Sequence, residues 1–85
     1  RAAAAPGAAV YVTDLRRPAD EGGLRHLVDT YSGPEPAVLR RDFEASLRAA
    51  FTAQEVHAQL GLAGLQELAV RELTDRHLAV FGHLR

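Results

Sequence analysis

Asp14, Arg16 and Arg17 carry the polar chemistry that the sequence places most suggestively. They lie in Asp14-Leu15-Arg16-Arg17-Pro18, directly after the apolar run Ala8-Ala9-Val10-Tyr11-Val12-Thr13. Polar groups that leave the carboxyl end of a strand stand where open α/β sheets bind their ligands. Arg16 or Arg17 could orient an anionic group there, and Asp14 could accept a hydrogen bond from a bound molecule. The same residues also suit a plain structural role. Asp14 can bond its own turn and the two arginines can stay solvated, because polar residues commonly end strands this way.

Other chemistries find little support. His26, His57, His77 and His83 show no i, i+4 pair and no HExxH motif, so no metal site is expected. Cys is absent, which removes thiolate nucleophiles, disulfides and Cys-ligated metals. Ser32 and Ser46 lack the setting of a nucleophile elbow. Gly22-Gly23 and Gly61 with Gly64 do not form a glycine-rich loop between a strand and a helix. Arg40, Arg41 and Arg48 are balanced by Asp42 and Glu44 and read as a solvated helix face. With a net charge of −1, nothing argues for a nucleic acid or an anionic membrane. No apolar run approaches the roughly 20 residues that span a bilayer. The Ala-rich start, broken by Pro6-Gly7, lacks the apolar core of a signal peptide. The expected location is cytoplasmic.

The elements that must position Asp14, Arg16 and Arg17 follow from the apolar pattern. Ala2–Ala5 read as the tail of a helix stopped by Pro6-Gly7. The 8–13 run carries no charge on either face, as expected of a strand buried on both sides in a parallel sheet. Leu24, Leu27, Val28 and Tyr31 fall on one helical face, with Tyr31 expected in the core. Ser32-Gly33-Pro34 ends that helix, and Pro36 suits the opening of the next. Leu39, Phe43, Leu47 and Ala50 give the second helix its apolar side. Phe43 and Phe51 could cover a pocket, although core packing suits them as well. Ser46 reads as a residue merely tolerated in the helix.

Thr52-Ala53-Gln54-Glu55 is a capping box, with Phe51 and Val56 spaced as its hydrophobic staple. A third helix therefore starts at Ala53 and ends near Gly61 or Gly64. A strand with a partly solvated face is expected over 67–72. Thr74-Asp75-Arg76 is turn chemistry, and a more apolar strand follows over 77–82.

A crossover through helices makes the 8–13 and 67–72 strands parallel, and the last strand doubles back. Such a sheet leaves the first strand apolar yet at an edge, a hazard that complete proteins avoid. Further parallel strands are therefore expected before Arg1. The chain's 85 residues and lack of Met fit a fragment, since a lone domain of this size buries only roughly 60–65% of its unfolded surface.

At this point a resemblance emerges. The run from Pro6 to Pro18 resembles the fifth strand, and its exit loop, of the class I Rossmann-like S-adenosylmethionine-dependent methyltransferases. The stretch from Arg41 to Thr52, with Glu55-Val56, is similar to one found in a bacterial branch of that family. Leu62-Ala63-Gly64-Leu65 resembles the turn before the sixth strand, and Asp75 to Gly82 resembles the closing hairpin and seventh strand. The resemblance implies that residues 1–85 are the C-terminal part of a doubly wound α/β sheet. Its last strand would lie antiparallel between the other two.

The resemblance further implies a parent enzyme that uses S-adenosyl-L-methionine to methylate a small-molecule acceptor. Asp14, Arg16 and Arg17 would lie on the acceptor side, and the cofactor would be held by an absent N-terminal half. No catalytic, cofactor-binding or metal residue carries over, and the segment alone is expected to be inactive. The alternative is a stand-alone α/β interaction module that pairs through its exposed strand edge.

Overall fold

A computed structural model describes residues 7–85. The helix tail expected at Ala2–Ala5 lies outside the described residues. From there the chain runs β1 (Ala9–Leu15), α1 (Glu21–Ser32), α2 (Ala37–Ala49), α3 (Ala53–Leu62), β2 (Ala69–Glu72) and β3 (His77–His83). It is a small α/β protein with a three-stranded sheet in the order β1-β3-β2. Both outer strands run antiparallel to β3, so β1 and β2 point the same way, as the crossover requires. The most apolar strand of the hairpin is the central one, and Leu78 and Ala79 are buried there.

Local signals explain the helix ends. Asp20 caps α1 by accepting a hydrogen bond from the Gly23 N–H at 2.7 Å. Pro36 precedes α2, and α2 begins one residue later, at Ala37. Both bonds of the Thr52–Glu55 capping box are made, at 3.1 Å and 2.9 Å. The third helix passes through Gly61 and stops before Gly64, whose φ of +74° turns the chain in a conformation that glycine adopts without strain.

The α1–α2 pair packs face to face. Leu24, Leu27 and Val28 of α1 meet Leu47 of α2, with Phe43 and Leu15 against them. This cluster lies at the carboxyl end of β1, where Leu15 links it to the sheet. Beyond it, Leu68, Leu78, Ala79 and Leu84 are the other buried apolar residues.

Three expectations need correction. The first strand is not buried on both faces: Tyr11 is 68% exposed and Val12 is 54% exposed. Among the described residues only β3 pairs with it along its length, which leaves its other edge unpaired by them. Tyr31 lies outside the core and pins α1 to the β2–β3 turn. Its hydroxyl donates to Asp75 at 2.7 Å, and the Arg76 guanidinium lies 3.6 Å from its ring centroid. That hydroxyl holds the Asp75 carboxyl below its ordinary range, and donation to Asp75 raises the Tyr31 phenol. Finally, the first strand does not end at Thr13: β1 continues to Leu15, and Asp14 pairs with Leu78 within the sheet. The face with Arg40 and Arg48 is solvated, as expected, and its charges are paired. Arg48 bonds Glu21 and Glu44, Arg25 bonds Glu44, and Arg40 bonds Asp29.

Candidate functional site

Strand alternation puts Val12 and Asp14 on one face of β1. Register places Val80 opposite Val12 and Leu78 opposite Asp14, so these four side chains share a face of the sheet. Over that face come Val56 and Gln59 of α3 and the end of α2 with the residues after it: Ser46, Ala49, Ala50 and Phe51. Together they enclose an open cleft of about 510 Å³. The small side chains at positions 46, 49 and 50 leave its space unfilled. It lies toward the carboxyl end of β1.

The two arginines build the cleft's frame. Arg17 donates through Nη1 to the Ala50 carbonyl at 3.2 Å and through Nη2 to Glu55 Oε2 at 3.0 Å. The backbone joins in, as the Arg17 N–H donates to the Phe51 carbonyl at 3.1 Å. Arg16 and Phe51 form an isolated parallel bridge, so the segment between α2 and α3 runs alongside the exit from β1. Arg16 faces the hairpin, donating through Nε to the Thr74 carbonyl at 3.0 Å, with Nη1 3.5 Å from Glu72. Both guanidiniums are therefore engaged in holding one element to another.

Glu55 is the hinge of this frame. One carboxylate oxygen accepts the Thr52 N–H of the capping box and the other accepts Arg17. The Thr52 backbone donor, and then Arg17, keep its carboxyl below the ordinary range. The staple pair suggested for this cap, Phe51 and Val56, both line the cleft, and Phe51 stays half exposed.

Asp14 differs from both arginines. It lies within β1, opposite Leu78, and its Oδ1 accepts the Leu15 N–H at 2.8 Å. Its other carboxylate oxygen has no partner among the described residues. Asp14 is the only ionisable residue among those that line the cleft, and Ser46 and Gln59 are the other polar ones. No His or Lys lines the cleft to activate Ser46, so this set suits the binding of a molecule more than covalent attack on one.

Among the described residues, no three His, Cys, Asp or Glu side chains gather as a metal site. No helix among them is long and apolar enough to cross a membrane. The structure puts Asp14 in the cleft lining and Arg16 and Arg17 outside it, while sequence reasoning gave no site role to Ser46 or Gln59. The available signal was the spacing of Ser46, Ala49 and Ala50, which puts small residues along one side of α2 just before Phe51. Comparison with known proteins finds no matching family model, no matching curated protein and no matching solved structure.

Proposed function

We propose that these residues form the closing, C-terminal portion of a Rossmann-like S-adenosylmethionine-dependent methyltransferase domain. They supply acceptor-side and sheet-closing elements to a cytoplasmic parent enzyme that methylates a small molecule. The observation that carries this reading is the sheet: a last strand antiparallel between two parallel ones, with apolar β1 left open at the edge. An edge of that kind calls for a further strand beside it. The cleft then lies toward the carboxyl end of an inner strand, the usual place for ligands in such sheets.

The residues present do not fit the cofactor. A sulfonium nucleoside would need a glycine-rich loop between a strand and a helix. Gly22 and Gly23 instead open α1, and the Gly23 N–H is taken by Asp20. Gly61 and Gly64 lie at the end of α3. The cofactor therefore falls to residues outside this chain. What this segment contributes is placement of the acceptor, and placement supplies much of the rate in reactions between two bound molecules.

The test is to extend the coding sequence upstream and titrate the extended protein with S-adenosyl-L-methionine by calorimetry. Micromolar binding by the extended protein and none by the 85-residue chain is expected. An upstream frame that is closed, or an extended protein that ignores the cofactor, overturns the reading. The open edge of β1 also supports a second reading, a stand-alone module that pairs through that edge. That reading predicts a reversible, concentration-dependent oligomer with a cooperative melt.

A further inference from the structure

We propose that the cleft takes a small amine: an ammonium group on Asp14 and an apolar, aromatic body against Val12, Phe51, Val56 and Val80. The inference deepens the methyltransferase reading, and it rests on that reading only for naming the bound amine as the acceptor.

Charge selects the ligand's polar end. Asp14 has one carboxylate oxygen without a partner among the described residues, and no cation lines the cleft. The two nearby cations that could neutralise Asp14 are spoken for: Arg16 by Thr74 and Glu72, Arg17 by Ala50 and Glu55. An anionic ligand would meet this carboxylate uncompensated. A neutral one would cover it without replacing the water it loses, and covering an unpaired charge is unfavourable. A cation supplies the missing partner through a charge-assisted hydrogen bond.

Shape and surface select the rest. A volume of about 510 Å³ falls within the roughly 300–1,000 Å³ range of small-molecule sites. Around Asp14 the lining is aliphatic and aromatic, and the half-exposed Phe51 ring can stack against a second ring. Ser46 and Gln59 offer a hydroxyl and an amide to one further polar substituent.

The experiment uses the longest protein encoded by the reading frame that holds these residues. Phenethylamine, phenethyl alcohol and 3-phenylpropionate are titrated by ligand-observed NMR, against wild type and Asp14→Asn. Asparagine keeps an Oδ1 acceptor for the Leu15 N–H, so that local bond survives the change. Phenethylamine is expected to bind wild type at least tenfold more tightly than 3-phenylpropionate. In Asp14→Asn its affinity should fall about tenfold, a loss of roughly 1.4 kcal/mol, while the alcohol is unaffected. Equal binding of amine and carboxylate, or an unchanged amine affinity in the variant, overturns the proposal. Titrating the same preparation with S-adenosyl-L-methionine separates the two readings. Amine selectivity without cofactor binding defeats the methyltransferase reading alone, whereas cofactor binding without amine selectivity defeats this one alone.

Discussion

Leu47, in α2, has no solvent exposure, whereas Tyr11, in β1, is 68% exposed. The two residues mark opposite solutions to the same problem. In the α1–α2 pair, apolar residues at helical spacing face each other across a short turn and form a buried cluster, with Leu15 of β1 packed against it. Ion pairs among Glu21, Arg25, Glu44 and Arg48 run along its surface, where such pairs add little to stability. A strand has no such local solution, because its faces and edges need elements distant in sequence. The radius of gyration reflects the outcome: 15.3 Å, against about 12 Å for a compact domain of this length. The comparison shows that contacts close in sequence bury the α1–α2 cluster, whereas β1 keeps Tyr11 and Val12 in solvent.

The strongest way to break the comparison is to open the closed end. Leu47→Ala removes a fully buried side chain from the contact between α1 and α2. Substitutions of this kind cost about 2–5 kcal/mol through lost transfer energy and the cavity left behind. For so small a chain that is a large part of the total, and urea unfolding should show it as a lower midpoint. A loss under about 1 kcal/mol would mean that this end is not a closed core.

A smaller effect is expected between the two regions, at the frame that joins the helices to the strand. Thr52→Ala deletes the hydroxyl that accepts the Glu55 N–H and should cost on the order of 1 kcal/mol. Glu55 gives the same frame a pH signature. Its folded-state carboxyl is held below the ordinary value of 4.5 by the Thr52 N–H and Arg17. Its contribution is therefore present in full above the ordinary glutamate range and is lost as pH falls through the lowered folded value. Melts recorded from pH 6 downward should show stability falling on the acid side, and Glu55→Gln should flatten that fall. An identical acid profile in the variant would remove Glu55 from the account.

How much of this could be read beforehand depended on distance along the chain. The capping box was legible because its donors and acceptors lie within four residues. The shared direction of β1 and β2 was legible because a crossover through helices fixes it, whereas the central place of β3 came only from the family resemblance. The exposure of β1 was not legible, since an apolar run records what a strand is suited to contact, not what surrounds it. Tyr31 was misread for a related reason: its partners Asp75 and Arg76 lie on a turn 44 or more residues away. At the cleft, the bond between Asp14 and a neighbouring backbone N–H was legible because its two partners are adjacent in sequence. The engagement of Arg16 and Arg17 was not, because backbone carbonyls at positions 50 and 74 take part of their hydrogen bonding and carry no side-chain signal.

The smallest expected change is the one that most sharpens the comparison. Tyr11→Lys replaces an exposed aromatic residue on β1 with a charge. It lies opposite Phe81, on the face of the sheet away from the cleft. In the 85-residue chain its side chain already meets solvent, so the unfolding free energy should move by no more than about 0.5 kcal/mol. Association through the strand edge should weaken too, because an edge lysine opposes strand pairing. In an upstream-extended protein that covers this face, the same lysine would be buried without a partner, at a cost on the order of several kcal/mol. Urea unfolding of both lengths, each with and without the substitution, reads the difference directly. A small change in both would show that nothing covers this face and that the open end of the molecule is open by nature. A large change in the short chain would show that Tyr11 already contributes to the fold.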